Sequence, residues 1–65
     1  MIKRAIRLNN DLVMVFDENG EQLSEYQGKY DDVKQRILAN ASPDTVYVHW
    51  FGDATEPKIV AVQNW

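Results

Sequence analysis

Residues 30–41, YDDVKQRILANA, are the only stretch of the chain whose apolar side chains recur at helical spacing. Tyr30, Val33 and Ile37 follow one another at steps of three and four, which places them on one side of a helix. Ala41 continues the series, and the charged and amide side chains fall on the other side. A single helix with one apolar stripe needs a flat apolar surface to cover, so the pattern predicts a helix packed on one face of a β-sheet.

Residues 2–8 are interpreted as a half-buried strand with a period of two, in which Ile2, Arg4, Ile6 and Leu8 alternate with Lys3, Ala5 and Arg7. The large apolar members are expected to point to the core: Ile2, Ile6 and Leu8. Lys3 and Arg7 are expected on the uncovered face of the sheet, and Arg4 is expected near the end of the sheet.

Residues 12–16 are apolar at every position, which favours a strand inside a sheet. Residues 9–11 are turn formers and predict a hairpin to the first strand. Residues 17–21 predict a second hairpin, with positive φ at Gly20 in either a type I′ turn or a type I turn with a bulge. Residues 22–27 are more polar and predict a third strand at the sheet edge.

Residues 45–51, TVYVHWF, are almost all β-branched or aromatic and predict a fourth strand. A loop at residues 52–57 and a last strand at residues 58–62 follow. The element order is therefore β-β-β-α-β-β. We expect one α+β domain over residues 1–65, with an antiparallel sheet of about five strands and a single helix packed on one face.

Alternation along the fourth strand divides its side chains between the two faces of the sheet. One set is expected to face the helix: Val46, Val48 and Trp50. The other set would form an aromatic stripe on the uncovered face, unless a curved sheet, the loop or the last residue covers it: Tyr47, His49 and Phe51. Uncovered patches of a few hundred Å² usually mark interfaces. Trp65 is expected to dock either on its own sheet or on a partner, because a tryptophan is unfavourable in water. The predicted interface residues are Tyr47, His49, Phe51 and Trp65.

The net charge of −3 is unevenly distributed along the chain. Lys3, Arg4 and Arg7 lie in the first seven residues, and the remainder carries four basic and ten acidic side chains. These three cations are candidate contacts at the rim of a protein interface. Beside an aromatic sheet face they are also candidate contacts to single-stranded nucleic acid. The thin basic surround makes nucleic acid the less favoured alternative.

Several functional classes find no support in the sequence. The chain has no cysteine and one histidine, which argues against a metal site and a disulfide framework. No nucleophile stands in a recognisable arrangement with a base, and a chain this short has little room for a substrate pocket, so we expect no enzyme activity, cofactor or small-molecule substrate. No apolar run approaches the roughly 20 residues of a membrane span, and no signal peptide is evident, so we expect a cytoplasmic protein without a membrane partner.

The order of a hairpin, a helix at residues 30–37 and further strands resembles the ubiquitin-type β-grasp. The chain ends in Gln63, Asn64 and Trp65 where ubiquitin-like modifiers end in two glycines, so this resemblance implies no conjugation. A second set of positions, under half of the chain, is similar in layout to the small bacterial KTSC domain: residues 12–16, Asn19, Gly20, Tyr26, Gly28 and residues 33–38.

The sequence therefore predicts a non-catalytic module for protein–protein interaction or self-association, as a homodimer or bound to another protein. Its size is typical of small accessory and regulatory proteins of bacteria and phages. The alternative is a nucleic-acid-binding protein that uses the basic first strand and the aromatic sheet face.

Overall fold

The computed structural model describes residues 1–51 and 56–65. Its elements are β1 (Ile2–Leu8), β2 (Leu12–Asp17), a 3₁₀ turn (Ser24–Tyr26), β3 (Gly28–Lys29), α1 (Tyr30–Asn40), β4 (Val46–Trp50), β5 (Lys58–Val60) and a second 3₁₀ turn (Val62–Asn64). The expected α+β class, with one helix and a sheet of five strands, is confirmed for the described part of the chain. Of the loop predicted at residues 52–57, residues 52–55 lie outside the described residues.

The sheet is mixed, with strand order β3-β2-β1-β4-β5. The β1–β2, β2–β3 and β4–β5 pairs are antiparallel, whereas β1 and β4 are parallel neighbours at the centre. The prediction of a purely antiparallel sheet is therefore wrong. Helix α1 carries the chain back across the sheet after β3, so β4 enters beside β1 in the same direction, which is how parallel neighbours are normally connected.

The tight turn predicted at residues 17–21 forms at the end of β2. The Gly20 N–H donates to the Asp17 carbonyl at 3.1 Å, and the Asp17 N–H donates to the Glu21 carbonyl at 2.9 Å. Positive φ occurs at Gly20 (82°) but not at Asn19. Of the two turns that the sequence allowed, the type I turn with a bulge is the one that forms.

The strand predicted at residues 22–27 is replaced by a 3₁₀ turn. Only Gln22 bridges to Phe16, after which the Tyr26 N–H donates to the Leu23 carbonyl at 3.1 Å. Because these backbone groups bond locally, they are not available to a sheet ladder. Pairing with β2 resumes only at β3, which has two residues.

The core lies between α1 and one face of the sheet, and its buried members are Ile2, Ala5, Val13, Val15, Tyr30, Val33, Ile37 and Trp65. Three of them, Tyr30, Val33 and Ile37, form the predicted stripe of the helix. We call this side of the sheet the helix face.

A register shift in β1 decides which of its side chains reach the core. The pairing with β2 slips between Ile2 and Arg4, so Ile2 and Ala5 both face the helix. Ile6 and Leu8, two and four positions beyond Arg4, lie on the opposite face, and their predicted position in the core is wrong. One extra residue reverses the facing of every position after it, because side chains alternate along a strand.

The facing of β4 is also the reverse of the prediction. In the parallel register, Ala5 of β1 lies opposite Tyr47 of β4, and neighbours across a ladder share a face. Ala5 is fully buried against the helix, so Tyr47 lies on the helix face as well. Val46, Val48 and Trp50 consequently lie on the other side of the sheet.

Candidate interaction surfaces

The side of the sheet opposite α1 is called the open face, and its members form rows that run across the strands. The first row is Phe16, Arg4 and Val46; the second is Met14, Ile6, Val48 and Ile59; the third is Leu12, Leu8 and Trp50, with Lys29 beyond Leu12. All but two of these positions are apolar. The rows therefore make one continuous apolar surface across β2, β1, β4 and β5.

Several apolar side chains of the open face are well exposed to solvent. Ile59 is 74% exposed, Trp50 42% and Leu12 40%, and most of the others are half-buried by their neighbours. With full areas of about 150–250 Å² for large side chains, these fractions leave roughly 500 Å² of apolar surface on this face. That area lies in the range of the largest patch found on a typical monomer, which is often functional.

The charges of the open face are positive, and acidic groups lie just beyond one of its ends. Arg4 and Lys29 are both exposed. Past the first row, the turn that follows β2 carries Glu18 and Glu21, and Glu18 lies 3.6 Å from the Met1 amino group. The face therefore has a cation at each end and an acidic turn beside the first row.

Trp65 is docked on its own chain, which was one of the two positions that the sequence allowed. Its side chain is 3% exposed and packs between Tyr30 and Tyr47, with ring centroids 5.3 and 5.2 Å away. The indole Nε1–H donates to the Val48 carbonyl at 3.1 Å. Burial raises the pKa of the Tyr47 phenol above its usual 10.0.

The main-chain oxygen of Trp65 is held by two side chains of the helix face. Arg7 donates to it at 2.8 Å, and His49 Nε2 lies 3.1 Å from it. The Arg7 guanidinium also lies 3.5 Å from the centre of the Tyr30 ring and pairs with Asp11 at 2.9 Å. Arg7 therefore contacts the Trp65 main chain, the Tyr30 ring and the Asp11 carboxylate at the same time.

The structure separates the residues that the sequence grouped as interface contacts. Tyr47 and His49 lie on the helix face, so the predicted aromatic stripe on the uncovered face is wrong in its facing. Phe51 stacks on His49 with ring centroids 4.5 Å apart and remains 41% exposed, whereas Trp65 is buried. Contact of these residues with a partner stays a prediction.

The three basic residues of β1 do not form one patch. Lys3 is half-buried at the register shift, Arg4 is exposed on the open face, and Arg7 lies on the helix face against Tyr30 and Trp65. A continuous basic stripe along β1 is therefore not formed.

Two shallow grooves accompany these surfaces. One, of about 370 Å³, is lined by residues 42–43, 45–47 and 59–62, and the other, of about 280 Å³, is lined by His49, Phe51, Glu56 and Lys58. In the described ranges, 1–51 and 56–65, no three acidic or histidine side chains cluster in a way that suits a metal ion. We assign no cofactor or metal to either groove.

The alternation along the strands does not predict this open face, although one feature of the sequence indicates it. Residues 12–16 are apolar on both sides of a strand, which means that both faces of the sheet carry apolar side chains at β2. Alternation in β1 and β4 assigned their side chains to the wrong faces of the sheet, because alternation gives no information about the register shift or the parallel pairing.

Comparison with known proteins gives no identification, since no protein family, no curated protein and no solved structure matches the chain. Over the described residues, no helix has the length and apolar character needed to cross a membrane.

Proposed function

We propose that the protein is a non-catalytic interaction module whose binding surface is the open face. The observation that carries this proposal is the exposure of Ile59 and Leu12 at opposite sides of a sheet surface that is apolar across four strands. Removing apolar surface from water is favourable by about 25 cal/mol of free energy per Å², so a continuous apolar face favours association.

The hydrophobic core is complete without any cover on the open face. Helix α1 and Trp65 close the helix face, where Val15 and Ile37 are fully buried. On the other side, Val48 is shielded by its neighbours in the sheet but Ile59 is not. Packing within the described residues accounts for the first face, and a partner supplies the second layer that a sheet of this kind requires.

No observation favours the nucleic-acid alternative over the interaction module. Single-strand binders combine exposed aromatic rings with free cations along one groove. Here Arg7 is engaged by Asp11 and Trp65, and Tyr47 is packed against Trp65. Arg4 and Lys29 are exposed on the open face, but Trp50 is the one well-exposed aromatic ring there among the described residues, and the other members of its rows are mainly aliphatic, so a run of stacking rings is not formed.

The experiment that tests the proposal is site-specific photo-cross-linking in living cells. A photoreactive phenylalanine analogue at position 59 samples the open face, and the same analogue at position 35 samples the outer surface of α1, where Gln35 is exposed. We expect a discrete cross-linked species from position 59, whether with a second copy or with another protein, and none from position 35. Equal cross-linking from both positions, or none from either, contradicts the proposal.

A further inference from the structure

We infer that the molecule that covers the open face is a second copy of this chain, packed sheet to sheet and turned end for end. This inference rests on the proposed function, since it names the partner of the same surface. It draws on three features of the open face: its area, the composition of its central row and the positions of its charges.

The area of the open face suits a dimer of small subunits. With Arg4 and Lys29 added to the apolar side chains, the face offers roughly 700 Å² on each copy, close to the about 800 Å² per partner of a standard interface. Two such faces would form a sandwich in which each sheet is covered by the other, with the sheets about 10 Å apart. Each helix would then lie on the outside of the dimer.

The central row of the face is suited to lie on a two-fold axis. An axis running across the strands along this row brings each of its members opposite its own copy, and a residue in that position must tolerate itself as a neighbour. The row consists of Met14, Ile6, Val48 and Ile59, none of which is charged or polar.

The charged side chains distinguish this arrangement from its alternative. An axis along β1 would place Arg4 directly opposite Arg4 of the second copy, and like charges in contact disfavour association. An axis along the central row instead places Arg4 opposite Leu8 of the other copy. It also brings Lys29 toward the end of the partner where Glu18 and Glu21 lie, so each copy places a cation near the other's acidic turn.

The first test is the molar mass by light scattering across a concentration series up to roughly millimolar, at low and high salt. We expect a dimer that persists at high salt, because an apolar interface is screened little. Ile59→Lys places a charge in the interface and should raise the dissociation constant at least tenfold. Gln35→Lys adds the same charge on the outside of α1 and should leave it unchanged. Since Ile59 is 74% exposed, its substitution should not affect folding, which circular dichroism checks.

The second test fixes the geometry, because the chain contains no cysteine of its own. Ile59→Cys should form a covalent dimer with a bismaleimide that spans about 10 Å, the spacing of packed sheets, whereas Gln35→Cys should not. Cross-linking through Arg4→Cys in place of Ile59→Cys would overturn the end-for-end arrangement.

A monomer at every concentration would overturn the second-copy inference. If position 59 nevertheless cross-links to a different protein in cells, the proposed function stands and only its partner was misassigned. If position 59 cross-links to nothing, both fail.

Discussion

Replacing Trp65 with alanine should remove a large share of the stability of this chain. The side chain is 3% exposed and packs on Tyr30 and Tyr47, and its indole donates to the Val48 carbonyl. Truncation of a buried tryptophan costs about 3–5 kcal/mol, since both the transfer free energy and the contacts around the cavity are lost. A domain of this size has a total free energy of unfolding of about 3–10 kcal/mol. Trp65→Ala is therefore expected to lose between about a third and all of the free energy of unfolding of the chain.

The assay is urea denaturation followed by circular dichroism, extrapolated to low protein concentration, because Trp50 lies on the proposed interface and self-association would add to the effect of changing it. Trp65→Phe retains an aromatic ring against Tyr30 and Tyr47 but loses the donor to the Val48 carbonyl, so we expect a loss of about 1–2 kcal/mol. Trp50→Ala is the control, because Trp50 is 42% exposed on the open face and its truncation should cost less than half as much as Trp65→Ala. The reasoning that buried Trp65 completes the core is refuted if Trp65→Ala lowers the free energy of unfolding by less than about 1 kcal/mol, or if Trp50→Ala lowers it more than Trp65→Ala does.

Two further predictions concern polar groups of the core. Burial raises the pKa of Tyr47, so the folded state favours the neutral phenol. This stabilisation is fully present below pH 10 and is lost as the pH rises through the higher pKa of the folded state. Unfolding curves recorded from about pH 8 to 11 should show this loss, and Tyr47→Phe should lessen it. The buried Thr45 hydroxyl donates to the Ile2 carbonyl at 2.7 Å and accepts from the Ser42 N–H at 3.0 Å. Thr45→Val leaves both backbone groups unpaired and should lower the free energy of unfolding in urea by about 1–3 kcal/mol, whereas Thr45→Ser should lower it less. Equal losses for the two variants would contradict a stabilising role of the hydroxyl.

The helix and the turns of this fold were predictable from the sequence because each is determined by residues close together in the chain. The spacing of Tyr30, Val33 and Ile37 fixes one face of a helix whatever it packs against, and that face is the one buried. Gly20 adopts the positive φ that the hairpin requires, although the choice between two turn types needed the structure. Local rules of this kind do not depend on the partner of a segment.

The facing of the central strands was not predictable, because it depends on pairing between distant segments. The slip between Ile2 and Arg4 inverts β1, and the parallel register that aligns Ala5 with Tyr47 inverts β4 with it. Alanine at position 5 gave no signal of burial by its size, yet it is fully buried in the core between the sheet and the helix. Sequence alternation states which residues share a face, but not which face meets the helix.

Both faces of this sheet are apolar, and that is why the two assignments looked alike in the sequence. What distinguishes them in the structure is Trp65, whose indole fills the space beside Tyr47 and whose main-chain oxygen is held by Arg7 and His49. Of the large apolar side chains that stay well exposed among the described residues, Leu12, Trp50 and Ile59 lie on the open face, whereas Met1, Phe51 and Val62 lie outside its rows. The open face has no such closing residue among the described residues. The docking of Trp65 therefore moves the expected interface from the aromatic side of β4 to its aliphatic side, with Ile59 at its most exposed point.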